Sequence, residues 1–547
     1  WLKRCSSSSS AMHSSTGLSD VVPKHGNIED LSPERTGPES EKSNGAAGPS
    51  DSTWLQRVQK PLLWLLVIGY LVAALCHDAQ HALPAVCLAA IVGCCQLWSA
   101  FCQRTGQDLD QLLAWAVVPP RCHQPLLWGS VLALLVVVLV LAWDDWTRLI
   151  PAGGLVLLVF LTWLCSAHRC HVSWRPVITG IIIQFVFGLL IMRTSFGFTA
   201  FQRAGELATD FLSFANKGSE FVFGERYAEF FFAFKVLPVV VFFSSMVAVA
   251  YHLQLVQAVF LRLGWFTQRC MGTSYSESLV AAANIFLGQT EAPLLVKPFV
   301  AKLTQSELHA VMTSGFASIA GSVFAAYVAF GIPADHLLAA SVMSCPAALA
   351  MAKLSFPETE LSRTNDLQEL TSDTSRNVLD ALSNGAATGA VMAATIAAML
   401  ISFVSVMAFA NSALEWAGSL VGIGGLTFDL VLSYLLWPLA FMMGVPPEEC
   451  GKVGLLIGEK TVLNEFVAYR HLADMANAGQ ISRRAEIIAT YALCGFSNFG
   501  AIGIQLGGLS VLAPNRKHDL AQLALRAMVT GSVACFMTGC VASILVE

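Results

Sequence analysis

The sequence is poor in charged residues. Of its 547 residues, 13% are Asp, Glu, Lys or Arg and 55% are hydrophobic. Soluble domains carry about 25% charged residues, so this composition is not that of a soluble globular protein. Several apolar runs reach the roughly 20 residues that a helix needs to cross a bilayer. The composition therefore predicts an all-α polytopic membrane protein.

The sequence also lacks the patterns of other functional classes. No block of basic residues indicates nucleic-acid binding, and no HExxH motif indicates a metalloprotease. The 15 cysteines include no CxxC pair, which argues against a zinc site and against a disulfide framework. We therefore expect a protein that is not an enzyme, has no cofactor and does not bind nucleic acid.

Residues 1–53 differ in composition from the rest. They are rich in Ser, Gly, Pro and charge, and cannot bury enough apolar surface to offset the entropy of ordering. We predict a disordered cytoplasmic tail, with regulation through serine phosphorylation as the less favoured alternative. Because the chain begins with Trp1, we also expect that residues precede it.

Eleven apolar runs are candidate membrane spans. They are 61–76, 82–102, 126–143, 149–167, 176–192, 236–252, 309–330, 336–354, 384–410, 484–511 and 520–546. A twelfth run, 428–445, carries Asp429 and Pro438 and could lie at the interface. Basic residues in alternate loops place the N-terminus in the cytoplasm, and eleven crossings place the C-terminus outside a plasma membrane.

Residues 201–235, between the fifth and sixth spans, mix aromatic and charged side chains. This mixture predicts an amphipathic helix in the plane of the interface, with an ordinary loop helix as the alternative.

The stretch "NIFLGQTEAPLLVKPFV", residues 284–300, interrupts the apolar pattern with Glu291, Pro293 and Pro298. A continuous membrane helix would carry this carboxylate at a cost of at least a few kcal/mol. A re-entrant hairpin that turns between Gly288 and Glu291 avoids that cost if its tip faces a watery cavity. The alternative is that Glu291 pairs with a nearby lysine, Lys297 or Lys302, as a structural contact.

The same construction occurs again at residues 454–469, "GLLIGEKTVLNEFVAY". Each candidate hairpin precedes a span whose middle is small and polar, at 313–331 and at 494–508. A hairpin followed by an interrupted helix, twice, indicates the internal repeat of a secondary transporter. In such transporters the binding site lies near the midplane, between discontinuous helices.

The polar residues of these segments indicate the ligand class. Glu291 and Glu465 can accept hydrogen bonds from ligand hydroxyls, and the amides of Gln289 and Asn498 can both donate and accept. No arginine cluster is present to bind a phosphate or dicarboxylate, so a neutral polyhydroxylated or heterocyclic solute fits better. Sodium would suit the oxygens of Asn284, Ser318 and an unwound backbone, whereas a proton-coupled carrier would instead protonate a glutamate.

Four stretches resemble signature motifs of the concentrative nucleoside transporters, solute carrier family 28. They are "GQTEAPLLVKPFV", "SVMSCPAALAMAKLSFPETE", "KTVLNEFVAY" and "CGFSNFGAIG". The resemblance runs from about residue 175 to the end, and the preceding segments match three additional N-terminal helices of animal members. We expect these parts along the chain: a tail at 1–53, the additional N-terminal helices at 54–167, scaffold helices with the interfacial helix at 168–260, the first hairpin and broken helix at 261–355, a connector and scaffold helices at 356–445, and the second hairpin, broken helix and last helix at 446–547.

The resemblance implies roles for individual residues. Hairpin residues 288–291 would bind the nucleobase side, and Val323 would pack against the base. Glu465 would contact ribose hydroxyls, with Phe496, Asn498 and position 501 around the ribose. The implied substrate set is Gly288, Gln289, Thr290, Glu291, Val323, Glu465, Phe496, Asn498 and Ala501. The implied sodium ligands are Asn284, Leu287, Ser318 and Ile319, with Leu287 and Ile319 acting through backbone carbonyls.

One position departs from the family pattern. Ala501 stands where members often have a serine that touches the ribose, so one hydroxyl contact is lost. Gly288 and Val323 resemble members that admit purines, while Ser322 resembles members that take pyrimidines, which implies broad selectivity. The small-residue run 384–400 predicts close helix packing and, by resemblance, helps to build a homotrimer. The expected function is sodium-coupled nucleoside symport by alternating access.

Overall fold

Helices form all of the regular secondary structure in the part of the chain that the structure describes. A computed structural model describes residues 123–143, 145–229, 231–362, 376–422 and 424–546, and no strand occurs among them. The predicted tail 1–53 and the predicted spans 61–76 and 82–102 lie outside the described residues. Within those residues, the all-helical prediction is confirmed.

The first half of the described chain contains seven helices before the first hairpin. They are α1 (His123–Leu141), α2 (Leu149–Leu164), α3 (Trp174–Arg193), α4 (Ser195–Ser213), α5 (Ala215–Phe223), α6 (Leu237–His252) and α7 (Leu255–Met271). Helices α1, α2, α3 and α6 coincide with four of the predicted spans.

Segment 201–235, predicted to form one amphipathic helix, forms two α-helices followed by a short 3-10 helix and a short π-helix. Thr194 caps α4 by accepting a hydrogen bond from the Gly197 backbone, and α4 ends at Ser213. Helix α5 then runs to Gly224, whose positive φ of 83° ends it. Phe214, at the junction, is 66% exposed, while Leu212 is buried. The location of segment 201–235 at the membrane interface stays a prediction.

The first candidate hairpin starts with α8 (Tyr275–Ala283). After a non-helical turn, the 3-10 helix Ala292–Val296 packs back against α8 and leads into α9 (Lys297–Val300). Glu277 anchors the first arm, because it closes a capping box with Ser274 and forms a buried ion pair with Lys353, 2.7 Å between Oε2 and Nζ. The predicted reversal of the chain near Gly288–Glu291 is therefore present.

The following apolar run is broken in its middle. Helix α10 (Gln305–Ala317) stops at Ser318, and α11 (Gly321–Phe330) begins three residues later. The capping box of Thr304 and Glu307 fixes the start of α10. Helix α12 (Ala334–Ser355) then runs without interruption.

The second copy of this arrangement lies near the C-terminus. Helices α16 (Cys450–Val462) and α17 (Glu465–Asn477) pack side by side across a two-residue turn, in which Asn464 caps α17. The next run is again broken, into α18 (Arg483–Leu493) and α19 (Phe499–Leu512). Gly495 lies in this break with φ of 153°, and a Cβ there would be 2.7 Å from the Phe316 carbonyl oxygen.

The ambiguous run 428–445 is not a single rod. It forms α14 (Phe428–Leu435) and α15 (Trp437–Met442), which meet at Leu436. Pro438 lies in the first turn of α15, where proline is tolerated and where it prevents continuation of α14.

Six helices in the described ranges are long and apolar enough to cross a membrane. The prediction of eleven differs because two predicted spans are outside the described residues, two are the broken runs, and the apolar part of α1 is short. Helices α12 and α20 (Lys517–Leu545) are the most buried of the six and form the centre of the core. The number of membrane crossings stays a prediction.

The 43-residue helix α13 (Val378–Leu420) packs along α6 through small residues. A Cβ at Gly385 would lie 2.7 Å from the Ala248 Cβ, and one at Gly389 would lie 2.8 Å from the Val241 Cα. Contact of this kind is typical of close helix pairs in membranes, and the predicted packing role of 384–400 agrees with it.

We expect Gly389→Ala to lower stability, because its new methyl group would meet the α6 backbone. Overpacking of this kind costs about 1–3 kcal/mol. The matched control is Gly129→Ala, since a Cβ at Gly129 has open space within 4 Å. The thermal transition of the detergent-solubilised protein should fall for Gly389→Ala alone. An unchanged transition in both variants would show that α6 and α13 are not tightly packed there.

Candidate functional site

The two helix breaks and the first hairpin turn meet at one place. The Gly321 backbone N–H donates to the Phe286 carbonyl at 2.8 Å, which joins the hairpin turn to the break between α10 and α11. The Phe496 N–H donates to the Ser318 carbonyl at 3.2 Å, which joins that break to the one between α18 and α19. Three non-helical segments, far apart in sequence, are thus held together by their own backbones.

A cavity of about 300 Å³ lies beside this junction. Both hairpins and both broken helices contribute to its wall. All nine residues predicted to bind substrate line it: Gly288, Gln289, Thr290, Glu291, Val323, Glu465, Phe496, Asn498 and Ala501. The two glutamates of the two hairpin turns therefore border a single cavity.

Glu465 is held at the start of α17. Its side chain is buried, and its Oε2 accepts a hydrogen bond from the Asn498 amide at 2.7 Å. The Asn498 amide oxygen simultaneously accepts from the Ala501 backbone at 2.7 Å and so caps α19. Because Asn498 uses both ends of its amide, its orientation is fixed. A carboxylate has about four acceptor positions, so Glu465 keeps capacity for ligand hydroxyls.

Glu291 closes the turn of the first hairpin. Its Oε2 accepts from the Gly288 backbone at 3.2 Å. Among the described ion pairs none joins Glu291 to Lys297 or Lys302, so the alternative of a purely structural pairing has no support here. The carboxylate instead lines the cavity.

Gln289 is buried beside Glu291 with its Oε1 lacking a hydrogen-bond partner among the described residues. Gly315 makes room for it, since a Cβ at Gly315 would lie 2.8 Å from the Gln289 Cβ and 2.9 Å from the Gln505 Nε2. Gln505 is itself fixed by donating to the Met312 carbonyl at 3.1 Å. A buried acceptor without a partner suits a ligand that brings a donor.

The predicted sodium ligands lie beside the same junction. Asn284 follows the last turn of α8 and is 1% exposed, and neither polar atom of its side chain has a partner in the described chain. Leu287 and Ile319 lie in non-helical stretches, so their carbonyls are outside the helical hydrogen-bond ladders. Ser318 donates its hydroxyl to the Ser314 carbonyl at 2.8 Å, which leaves its oxygen lone pairs as acceptors.

The helix ends favour a cation at that position. Helices α8 and α10 both end there, and the C-terminal end of a helix carries partial negative charge. Across the described ranges, no group of three or more His, Cys, Asp or Glu residues could hold a metal ion. Neutral oxygens near two helix C-termini fit a hard monovalent cation.

One wall of the cavity was not predicted from the sequence. Helix α13 contributes Thr388, Val391, Met392, Thr395 and Ile396. These positions repeat at three- and four-residue intervals, which is the spacing of one helix face. The run 384–400 was interpreted only through its small residues, which pack on α6. Thr388 and Thr395, polar residues within this apolar run, were the sequence feature that could have indicated a cavity-facing side of α13.

Three family models match the chain in succession. The model described as "Na+ dependent nucleoside transporter N-terminus" matches residues 153–226. The model described as "Gate: Nucleoside recognition" matches 233–334, and the model described as "Na+ dependent nucleoside transporter C-terminus" matches 336–543. The chain belongs to the Na+-dependent nucleoside transporters. The resemblance inferred from the four motifs is confirmed, and the coupling ion of this transporter family is Na+.

Individual relatives of the transporter agree with the family models. Solute carrier family 28 member 3 of Rattus norvegicus is 44% identical over 510 residues, covering 88% of this chain and 72% of the relative. The Homo sapiens member 3 is 43% identical over 511 residues, covering 88% and 74%. Among solved structures, CNTnw in an inward-facing substrate-bound state gives a TM-score of 0.70 at 40% identity, covering 73% of this chain and 98% of that one.

Proposed function

We propose that this chain is a sodium-coupled symporter that takes up purine and pyrimidine nucleosides by alternating access. The observation that carries this proposal is the single cavity bordered by Glu291 and Glu465. A nucleoside has two chemically different halves, a flat heterocycle and a hydroxyl-bearing sugar. In the proposed binding mode, the first hairpin contacts the heterocycle and the second hairpin contacts the sugar.

The second hairpin supplies the ribose side. The carboxylate of Glu465, oriented by Asn498, can accept hydrogen bonds from ribose hydroxyls. Hydrogen bonds to a charged group contribute about 1.5–3 kcal/mol each. Phe496 lines the same cavity.

The first hairpin supplies the base side. Gln289 offers an acceptor without a partner, and Glu291 offers a carboxylate, whereas Val323 provides an apolar surface for the face of the ring. Gly288 lines the cavity without a side chain, which leaves room for a purine. These features support broad selectivity, and carriage of another neutral polyhydroxylated solute is the alternative.

Sodium would couple to the substrate through the backbone. Leu287 directly precedes the cavity residue Gly288, and Ile319 directly precedes the cavity residue Ala320. A cation held by Asn284, Ser318 and these two carbonyls would fix both segments of the cavity wall before the nucleoside binds. Proton coupling through one of the glutamates is the alternative mechanism.

The proposed architecture has about eleven spans, two re-entrant hairpins in an inverted repeat, a cytoplasmic N-terminus and an extracellular C-terminus in the plasma membrane. The two hairpin-and-broken-helix units support the repeat. Exposed apolar side chains on α13, such as Ile401 and Phe409 at 72% and 75%, support a lipid-facing or trimer-forming helix. We propose a homotrimer.

The function is tested with purified protein in liposomes under an inward sodium gradient. We expect saturable accumulation of labelled uridine above the external concentration, with adenosine and cytidine competing. Accumulation separates a carrier from a channel, a receptor or an enzyme. Equilibration without accumulation would contradict coupling, and competition by pyrimidines alone would contradict broad selectivity.

We expect Ala501→Ser to lower the KM for uridine roughly 3- to 10-fold. The restored hydroxyl would add one hydrogen bond to the ribose, worth about 0.5–1.5 kcal/mol. Ala501 is 3% exposed and lines the cavity, so the new group would face the ligand. Ala501→Cys is the matched control of similar size, and 2′,3′-dideoxyuridine is the control substrate. An equal gain with the dideoxy compound would exclude ribose contact at this position.

A further inference from the structure

A second cavity, of about 350 Å³, lies on the other side of the first hairpin turn. Its walls come from α6, from the hairpin and from the first turns of α13. No residue of the second hairpin lines it. It is therefore a separate space from the cavity that contains Glu465, although it is similar in size.

The two cavities share two residues. Glu291 and Thr388 line both of them, so the hairpin carboxylate borders a cavity on each side. The Thr388 hydroxyl donates to the Asn384 carbonyl at 2.9 Å, and its oxygen keeps lone pairs for a ligand. The two cavities are therefore neighbours that meet at Glu291 and Thr388.

The second cavity contains the chemistry that binds a heterocycle. Phe243 and Phe286 bring aromatic rings from α6 and from the hairpin. The Phe286 ring is 43% exposed and is stacked on Phe260, with ring centroids 6.2 Å apart. The glycine at position 321 admits the Phe243 ring, because a Cβ there would lie 2.6 Å from it. Nucleobases stack on aromatic side chains without strong preference for sequence or base type.

Polar groups on α6 and α13 complete the wall. Ser244 contributes a hydroxyl, and Asn384 contributes a side-chain amide that also donates to Asp380 at 3.3 Å. Hydroxyl and amide groups can pair with ribose hydroxyls or with a base edge. A cavity for lipid tails alone would not need them beside the shared carboxylate.

We propose that this second cavity is a further nucleoside subsite, which receives the substrate as it passes Glu291. The proposal rests on the nucleoside transport proposed above. In the proposed orientation, the end of α6 at His252 and the start of α13 at Val378 are cytoplasmic, so the subsite lies on the release side. Binding there would provide an intermediate position between the first cavity and the cytoplasmic solution.

The subsite is tested by photolabelling the full-length transporter with an azido-substituted uridine and locating the label by mass spectrometry. At low concentration we expect label in the peptides around 460–469 and 494–503. At higher concentration we expect additional label around residues 243–251, displaced by excess uridine. Label confined to the first cavity at every concentration overturns the proposal. Label near 243–251 that uridine does not displace would indicate a lipid or detergent site and overturns it as well.

Transport kinetics provide the second readout. Asn384→Leu should lose only the second label and should lower the maximum uptake rate at least about threefold, with the KM for uridine within twofold of wild type. Ser383→Leu, on the same turn of α13 but outside both cavities, should match wild type. If Asn384→Leu fails to reach the membrane, Phe243→Leu should give the same rate loss.

Equal rates in the Asn384 and Ser383 variants overturn the subsite. Absence of uptake and of the first label in wild type would instead overturn the proposed function.

Discussion

Glu465→Gln is expected to abolish most uridine uptake while leaving the protein at the cell surface. The buried carboxylate is the charged acceptor of the second hairpin, and its Oε2 accepts from the Asn498 amide. Loss of hydrogen bonds between a ligand and a charged group costs about 1.5–3 kcal/mol each. Two ribose hydroxyls would therefore account for at least a 100-fold drop in the uptake rate at low uridine.

Glu459→Gln is the matched control for this experiment. Glu459 lies on the same hairpin, is also largely buried, and pairs with His471 at 2.9 Å instead of lining the cavity. Uptake and surface biotinylation are measured for both variants. Uptake near wild type in Glu465→Gln would remove this carboxylate from the binding site. A matching loss in Glu459→Gln would point to general damage to the hairpin.

Replacing Na⁺ by choline is expected to reduce uridine uptake to background near neutral pH. Choline is too large for the proposed sodium site of Asn284, Ser318 and two backbone carbonyls. Without a cation, the partial negative charges at the ends of α8 and α10 would remain unneutralised, and the cavity wall would lose its order. The membrane potential contributes about 2.3 kcal/mol per transported charge per 100 mV, and this driving force disappears with the ion.

The control for this experiment is an imposed inward proton gradient in choline. We expect no recovery of uptake, because the proposed coupling depends on neutral oxygen ligands and not on a titrating glutamate. Asn284→Leu in sodium should resemble wild type in choline. Full transport in choline would show that the chain is a facilitator, and recovery by the proton gradient would show that a glutamate carries the coupling.

The sequence was most informative where the apolar pattern fails. Proline, glycine and carboxylate inside a run of membrane-helix character predicted the hairpin at 284–300, and the chain does reverse there. Small and polar residues in the middle of a span predicted the break before Gly321. These features can be predicted from the sequence because they are local. A proline ends a helix through its own missing N–H and its ring, whatever the distant segments do.

The parts that the sequence did not predict depend on contacts between distant segments. The division of segment 201–235 at Phe214 follows packing of Leu212 and Ala215, which are both buried. The contribution of Thr388 and Thr395 to the cavity depends on how α13 is rotated against α6. That rotation is set by the close approach at Gly385 and Gly389, which becomes visible only when both helices are placed.

The proposed binding mode is tested most directly by an experimental density map of the transporter with sodium and uridine bound. We predict one nucleoside between the two hairpins, with its base against Gln289 and Glu291 and its ribose against Glu465 and Asn498. We also predict an ion within coordination distance of Asn284. A nucleoside bound away from one of these glutamates, or two hairpin turns with no shared cavity between them, would contradict this binding mode.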